Sequence, residues 1–170
     1  MPIVIHLDHG LTKEACLKAL ELGFTSIMYD CSTDEYDVNV EKVREMAEIA
    51  HSYGATIEGE LGYVGNAHGA YKLPPKLDFE RIRTIARTVD VPLVLHGGSG
   101  LKDEDFKQAI HDGISKVNIF TDINVAAVEE EFRRFDSMGK GLTDLIPAAV
   151  DGVRKECIKK MQLFECCNRG

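Results

Sequence analysis

The chain has 170 residues, of which 44% are hydrophobic and 28% charged, with a formal net charge of −8. This is the composition of a globular protein with room for a core, and an acidic balance with interspersed signs speaks against a nucleic-acid binder. No apolar run reaches the length of a membrane span, no basic-then-apolar leader opens the chain, and the five cysteines lack metal-binding spacing, which points to free thiols in a reducing cytoplasm.

Ile3 to Leu7 reads as a strand that runs into Asp8, His9 and Gly10. Thr12 can cap a helix whose inner face carries Ala15, Cys16, Ala19 and Leu20, with Gly23 as its stop. Phe24 to Tyr29 is a second strand, ending at Asp30. Val40, Val43, Ala47 and Ala50 recur at helical spacing before Gly54, and Ala55 to Leu61 is a third strand carrying Glu58 and Glu60 on one face. Residues 62–77 show neither period. Asp78 can cap a helix carrying Phe79, Ile82, Ile85, Ala86 and Val89. Val91 to Leu95 is a fourth strand, followed by the glycine-rich turn "HGGSG" and a helix over Phe106, Ala109 and Ile110. Ile114 to Ile119 is a fifth strand. Val125, Val128, Phe132 and Phe135 line one further helix, and Leu142 to Phe164 holds another.

Strict alternation of apolar strands with helices marks a parallel α/β protein. Asp8, His9, Asp30, Glu60, His96 and Asn118 all fall at strand C-terminal ends. Five strand ends that each supply polar groups favour a (β/α)8 barrel over a doubly wound sheet, because a barrel gathers its strand ends on one rim. A typical barrel has about 250 residues, and the stretch between the third and fourth strands is too short for the helix and strand expected there.

His9-Gly10, His68-Gly69 and His96-Gly97 sit at strand ends or in loops, and three imidazoles on one rim would suit zinc with a position open for substrate. Glu60, nearer the rim than Glu58, is the better carboxylate ligand. His6 reads as a structural residue on the same strand face as Asp8, and His51 and His111 as cations near helix ends. "HGGSG" and "NIFTD" (Asn118 to Asp122) offer amides and side-chain donors for phosphate oxygens. Tight turns also favour glycine, and Thr121 or Asp122 would equally serve as a helix cap.

The motifs "HLDHG", "EGELGYVG", "NAHGAYK", "LVLHGGSG" and "KVNIFTD", in this order, resemble the class II, metal-dependent ketose-bisphosphate aldolases. The similarity runs the length of the chain, through "PKLDFERI" to the terminal "KKMQLFECCNRG". The resemblance implies one (β/α)8 barrel domain over residues 1–170, incomplete: two βα units before "HLDHG" and one internal helix–strand unit between "ELGYVG" and "NAHG" have no counterpart here. It implies zinc held by His9, His68 and His96, with Glu60 holding the metal in an alternate position and Asp8 as general acid/base. Gly69, Gly97, Gly98 and Ser99, with Asn118, Ile119, Phe120 and Thr121, would bind the phosphate end of dihydroxyacetone phosphate. Asn118 would also touch the enediolate.

The expected reaction is reversible cleavage of a ketose 1,6-bisphosphate, fructose or tagatose, to dihydroxyacetone phosphate and glyceraldehyde 3-phosphate. The partners implied are a phosphorylated sugar and further copies of the chain, as a dimer or tetramer, with neither nucleic acid nor membrane. Three other readings compete. Schiff-base chemistry on Lys116 is one, and a metal-dependent hydrolase is another. The third is a degenerate, non-catalytic fragment that binds metal or phosphate.

Overall fold

The structure, a computed structural model, describes residues 3–60, 76–98, 100–137, 139 and 141–167. The chain divides into two compact units, Met1–Asn66 and Ala67–Gly170.

The first unit is a three-stranded parallel sheet built from β1 (His6–Gly10), β2 (Ser26–Tyr29) and β3 (Thr56–Gly59), in that spatial order. Two helices connect them, α1 (Lys13–Glu21) and α2 (Tyr36–Ser52). Thr12 caps α1 by accepting the Ala15 amide at 3.2 Å, as its residue type suggests. All four residues of the central strand β2 are buried, as expected for a strand covered on both faces. The core joins Cys16, Ala19 and Leu20 of α1 to Ile27 and Tyr29 of β2 and to Met46 and Ala50 of α2. Ala15, in the first turn of α1, is exposed, because the covered arc is centred on the next three core positions. The α2 stripe is also shifted from expectation. Val40, Val43 and Ala47 are half-buried, and the buried positions are Asn39, Met46 and Ala50.

The second unit contains α3 (Phe79–Thr88), β4 (Leu93–Leu95), α4 (Asp103–His111), β5 (Ile114–Val117), α5 (Thr121–Arg134) and α6 (Leu142–Leu163). Strands β4 and β5 pair in parallel. Asp78 caps α3 through the Arg81 amide at 3.0 Å. The apolar face expected on α3 is nowhere fully buried. Among the described residues β4 pairs with β5 alone, so there is little sheet for α3 to cover. Phe106 and Ala109 of α4 are fully buried, and α5 and α6 run antiparallel, tied by Arg134 to Asp151 at 2.9 Å and Lys160 to Asp122 at 2.6 Å.

Cys16, Cys31, Cys157, Cys166 and Cys167 are free thiols. Burial and the neighbouring Cys31 push the Cys16 thiol up to about 11, which disfavours its thiolate form at neutral pH. Among the described residues no helix is long and apolar enough to cross a membrane.

Candidate active site

The end of β1 departs from a regular strand. Leu7 pairs with Ile27 and Gly10 with Tyr29, so β1 carries one residue more than β2 over this interval. His9 absorbs the difference with a φ of 52°, in the left-handed region. For a residue with a side chain that conformation costs on the order of 1–3 kcal/mol. Its consequence is chemical. In a regular strand Asp8 and His9 would point to opposite faces; here a carboxylate oxygen of Asp8 and a ring nitrogen of His9 lie within 4.8 Å. Gly10 makes the bulge possible, since a Cβ there would lie 2.7 Å from Cys16 Sγ and 2.8 Å from the Met28 carbonyl.

His9 is oriented from the neighbouring strands. Its Nδ1 lies 2.7 Å from Asp30 Oδ2 and 3.5 Å from Glu60 Oε2. Asp30 accepts from the Ser32 amide at 3.0 Å and the Ser32 hydroxyl at 2.6 Å. Glu60 is set by Asn39, whose side-chain amide donates to the Glu60 carbonyl at 2.9 Å. That bond explains why a polar residue occupies the buried stripe of α2.

Burial pulls the His9 pKa down, but the hydrogen bond to Asp30 and the charges of Asp8, Glu60 and Asp30 outweigh it and leave it raised. Burial pushes Asp30 up, while the bonds from Ser32 and His9 hold it below the ordinary aspartate value. One ligand atom each from His9, Asp30 and Glu60 lie within 4.8 Å of one another. One nitrogen and two carboxylate oxygens at that spacing are a donor set suited to a divalent cation.

His6 takes its expected structural place. Its Nδ1 meets Ser26 Oγ at 2.8 Å, and its Nε2 lies 3.8 Å from Glu58, so Glu58 faces an imidazole.

In the second unit, His96, Gly97 and Gly98 follow β4, and Asn118, Ile119 and Phe120 follow β5. The two ends are joined. The Asn118 amide donates to the Leu95 carbonyl at 3.0 Å, the Gly98 amide to the Asn118 carbonyl at 3.4 Å, and Asn118 Nδ2 lies 3.2 Å from His96 Nδ1. Gly98 is tightly enclosed: a Cβ there would lie 2.8 Å from Phe106 Cε1 and 3.1 Å from Val117 Cγ1. The first turn of α4 carries Asp103, Glu104 and Asp105, which already occupy its positive end. The first turn of α5 starts at Thr121, has Asp122 as its acidic residue, and receives no side-chain hydrogen bond from its N-cap, Phe120. Of the two helix starts, α5 is therefore the better disposed toward an anion.

His68, Gly69 and Ser99 lie outside the described residues. Asp30 and Asn39 were not assigned to the site from sequence. Asp30 carried a signal, a carboxylate at the end of the strand that follows β1; Asn39 carried none.

The family described as "Fructose-bisphosphate aldolase class-II" matches residues 1–65 and 63–169. The chain belongs to this class-II aldolase family. It is 33% identical to a fructose-bisphosphate aldolase of Staphylococcus epidermidis, with 99% of this chain and 72% of that one covered. It is 34% identical to a 6-phospho-5-dehydro-2-deoxy-D-gluconate aldolase of Bacillus velezensis, over 82% of this chain but only 60% of the relative. The family chain thus spans less than two thirds of that relative's length. The Staphylococcus alignment runs over 210 residues, more than the 170 present here, so the relative carries residues with no counterpart in this member of the family. Among solved structures, the YdjI aldolase from Escherichia coli K12 superposes with a TM-score of 0.84 at 32% identity, covering 96% of this chain and 69% of that one.

Proposed function

We propose that this family member acts as a class II aldolase, cleaving a ketose 1,6-bisphosphate reversibly to dihydroxyacetone phosphate and glyceraldehyde 3-phosphate, on one partial (β/α)8 barrel domain over residues 1–170. The observation that carries the reading is the bulged end of β1, where Asp8 and His9 are brought to one place and His9 is gripped by Asp30 and Glu60. The zinc would be held by His9, His68 and His96, with Glu60 as an alternate ligand.

When bound, the cation would supply Lewis-acid stabilisation of the negative charge that develops beside the ketone carbonyl. The chain's own residues do the rest. Asp30 accepts a hydrogen bond from the Nδ1–H of His9, which fixes the tautomer and orientation of the ring. Asp8 accepts the substrate hydroxyl proton during cleavage and returns it during condensation. Gly69, Gly97, Gly98 and Ser99, with Asn118, Ile119, Phe120 and Thr121, bind the phosphate and hold the reacting carbons in place. The names of the relatives supply two classes of phosphorylated substrate, a ketose bisphosphate and a phosphorylated deoxygluconate derivative.

A second reading is favoured by the residues missing relative to the Staphylococcus aldolase: a non-catalytic chain that keeps metal and phosphate binding. One experiment separates the two. Turnover of fructose 1,6-bisphosphate should vanish with a chelator and return with zinc. Full turnover in a metal-stripped sample refutes the proposal, and bound metal and phosphate without turnover of any ketose bisphosphate favours the second reading.

A further inference from the structure

Lys160 of α6 is a buried lysine with no role in the reaction outlined above; its side chain is 9% exposed. Its ammonium lies 2.6 Å from Asp122 Oδ2, in the first turn of α5, and 3.6 Å from Glu156. It also lies 5.0 Å from the centroid of the Phe106 ring, within the range of a cation–π contact. Phe106 in turn is fully buried, packs on Phe164 with ring centroids 5.2 Å apart, and closes the space beneath Gly98. One cation therefore touches supports of two loops: the start of α5 directly through Asp122, and the turn after β4 through the Phe106 ring.

We propose that Lys160 is a positioning residue for the phosphate end of the substrate, holding the α5 start and the Gly98 turn together and cancelling the Asp122 charge beside the anion. The inference rests on the reading of Gly98 and Asn118 to Thr121 as phosphate-binding residues. The start of α5 attracts an anion through its dipole and unbonded amides. A carboxylate in that first turn opposes the attraction unless a cation meets it. Burial of Lys160 away from water keeps the compensation strong at ordinary ionic strength.

The test uses the full chain and inorganic phosphate or dihydroxyacetone phosphate, followed by amide resonances of Gly98 and Thr121. Lys160→Met should raise the dissociation constant roughly tenfold, the size of one uncompensated charge at a helix start. Lys160→Arg should retain binding. Adding Asp122→Asn to Lys160→Met should recover most of the loss, because the offending carboxylate is gone; a purely packing role for Lys160 predicts no such recovery. If Lys160→Met does not fold, Lys160→Gln, which keeps a donor of similar reach, carries the same expectation. Wild-type binding by Lys160→Met or Lys160→Gln, loss of binding by Lys160→Arg, or a double variant no better than the single one, overturns the inference alone. A wild-type chain whose Gly98 and Thr121 resonances ignore phosphate overturns the underlying phosphate reading as well.

Discussion

His9 Nδ1 and Asp30 Oδ2 meet at 2.7 Å, joining the bulged end of β1 to the residue that follows β2. Under the proposed function, the pair fixes the orientation of a metal-binding histidine. Removing the carboxylate charge by Asp30→Asn should lower zinc affinity roughly 10- to 100-fold, the usual cost of losing the partner that orients a metal-binding histidine. Competition against a chromophoric chelator measures it, and unchanged affinity would show that Asp30 has no part in the site.

Asp8 is placed beside His9 without a share in the Asp30 bond. Asp8→Asn should cut turnover by about 10²- to 10⁴-fold, the range for loss of a general acid or base, while the zinc content of the protein stays the same. Loss of zinc in parallel with turnover would make Asp8 a metal ligand and remove it from the proton-transfer role.

Gly10→Ala should destabilise the chain by about 1–3 kcal/mol, the penalty of forcing atoms into a packed core. The added methyl would meet Cys16 Sγ, the Met28 carbonyl and Leu7 Cδ2, all within 2.9 Å of the built Cβ. Urea unfolding reads the change. A midpoint equal to wild type would mean that the β1 bulge tolerates a side chain at its base.

Acid stability should depend on Glu130. Hydrogen bonds from Arg133 and Lys155, and then from Arg134, hold its carboxyl at about 2, against an ordinary value near 4.5. A pKa lowered in the folded state contributes stability that is present above the unfolded value and fades as the pH falls through 4.5 toward 2. Melting temperature should therefore decline across that window in the wild type and less steeply in Glu130→Gln. Parallel acid limbs for the two proteins would contradict the assignment.

The helix caps at Thr12 and Asp78, the buried run of β2 and the stops at Gly23 and Gly54 are all legible in the sequence, because each is a local matter of residue type and spacing. So are Asp8, His9 and Glu60 as a chemically loaded set at strand ends. The exposed or half-covered faces of α1, α2 and α3 are not, since apolar spacing marks a face that can be buried but does not say how much sheet lies opposite it.

By itself, the order of residues determined the alternation of strand and helix, the family and the residue types of the site, since these follow from short-range periodicity and motif. Tertiary structure alone decided the partners of those residues. Asp30 reaches His9 only because β1 and β2 pair in parallel with one extra residue in β1. Asn39 holds Glu60, and Lys160 meets Asp122, across separations that no local pattern encodes. Such contacts arise when the chain packs, and the hydrogen bonds and charges left to be satisfied in the interior then select which distant side chains meet.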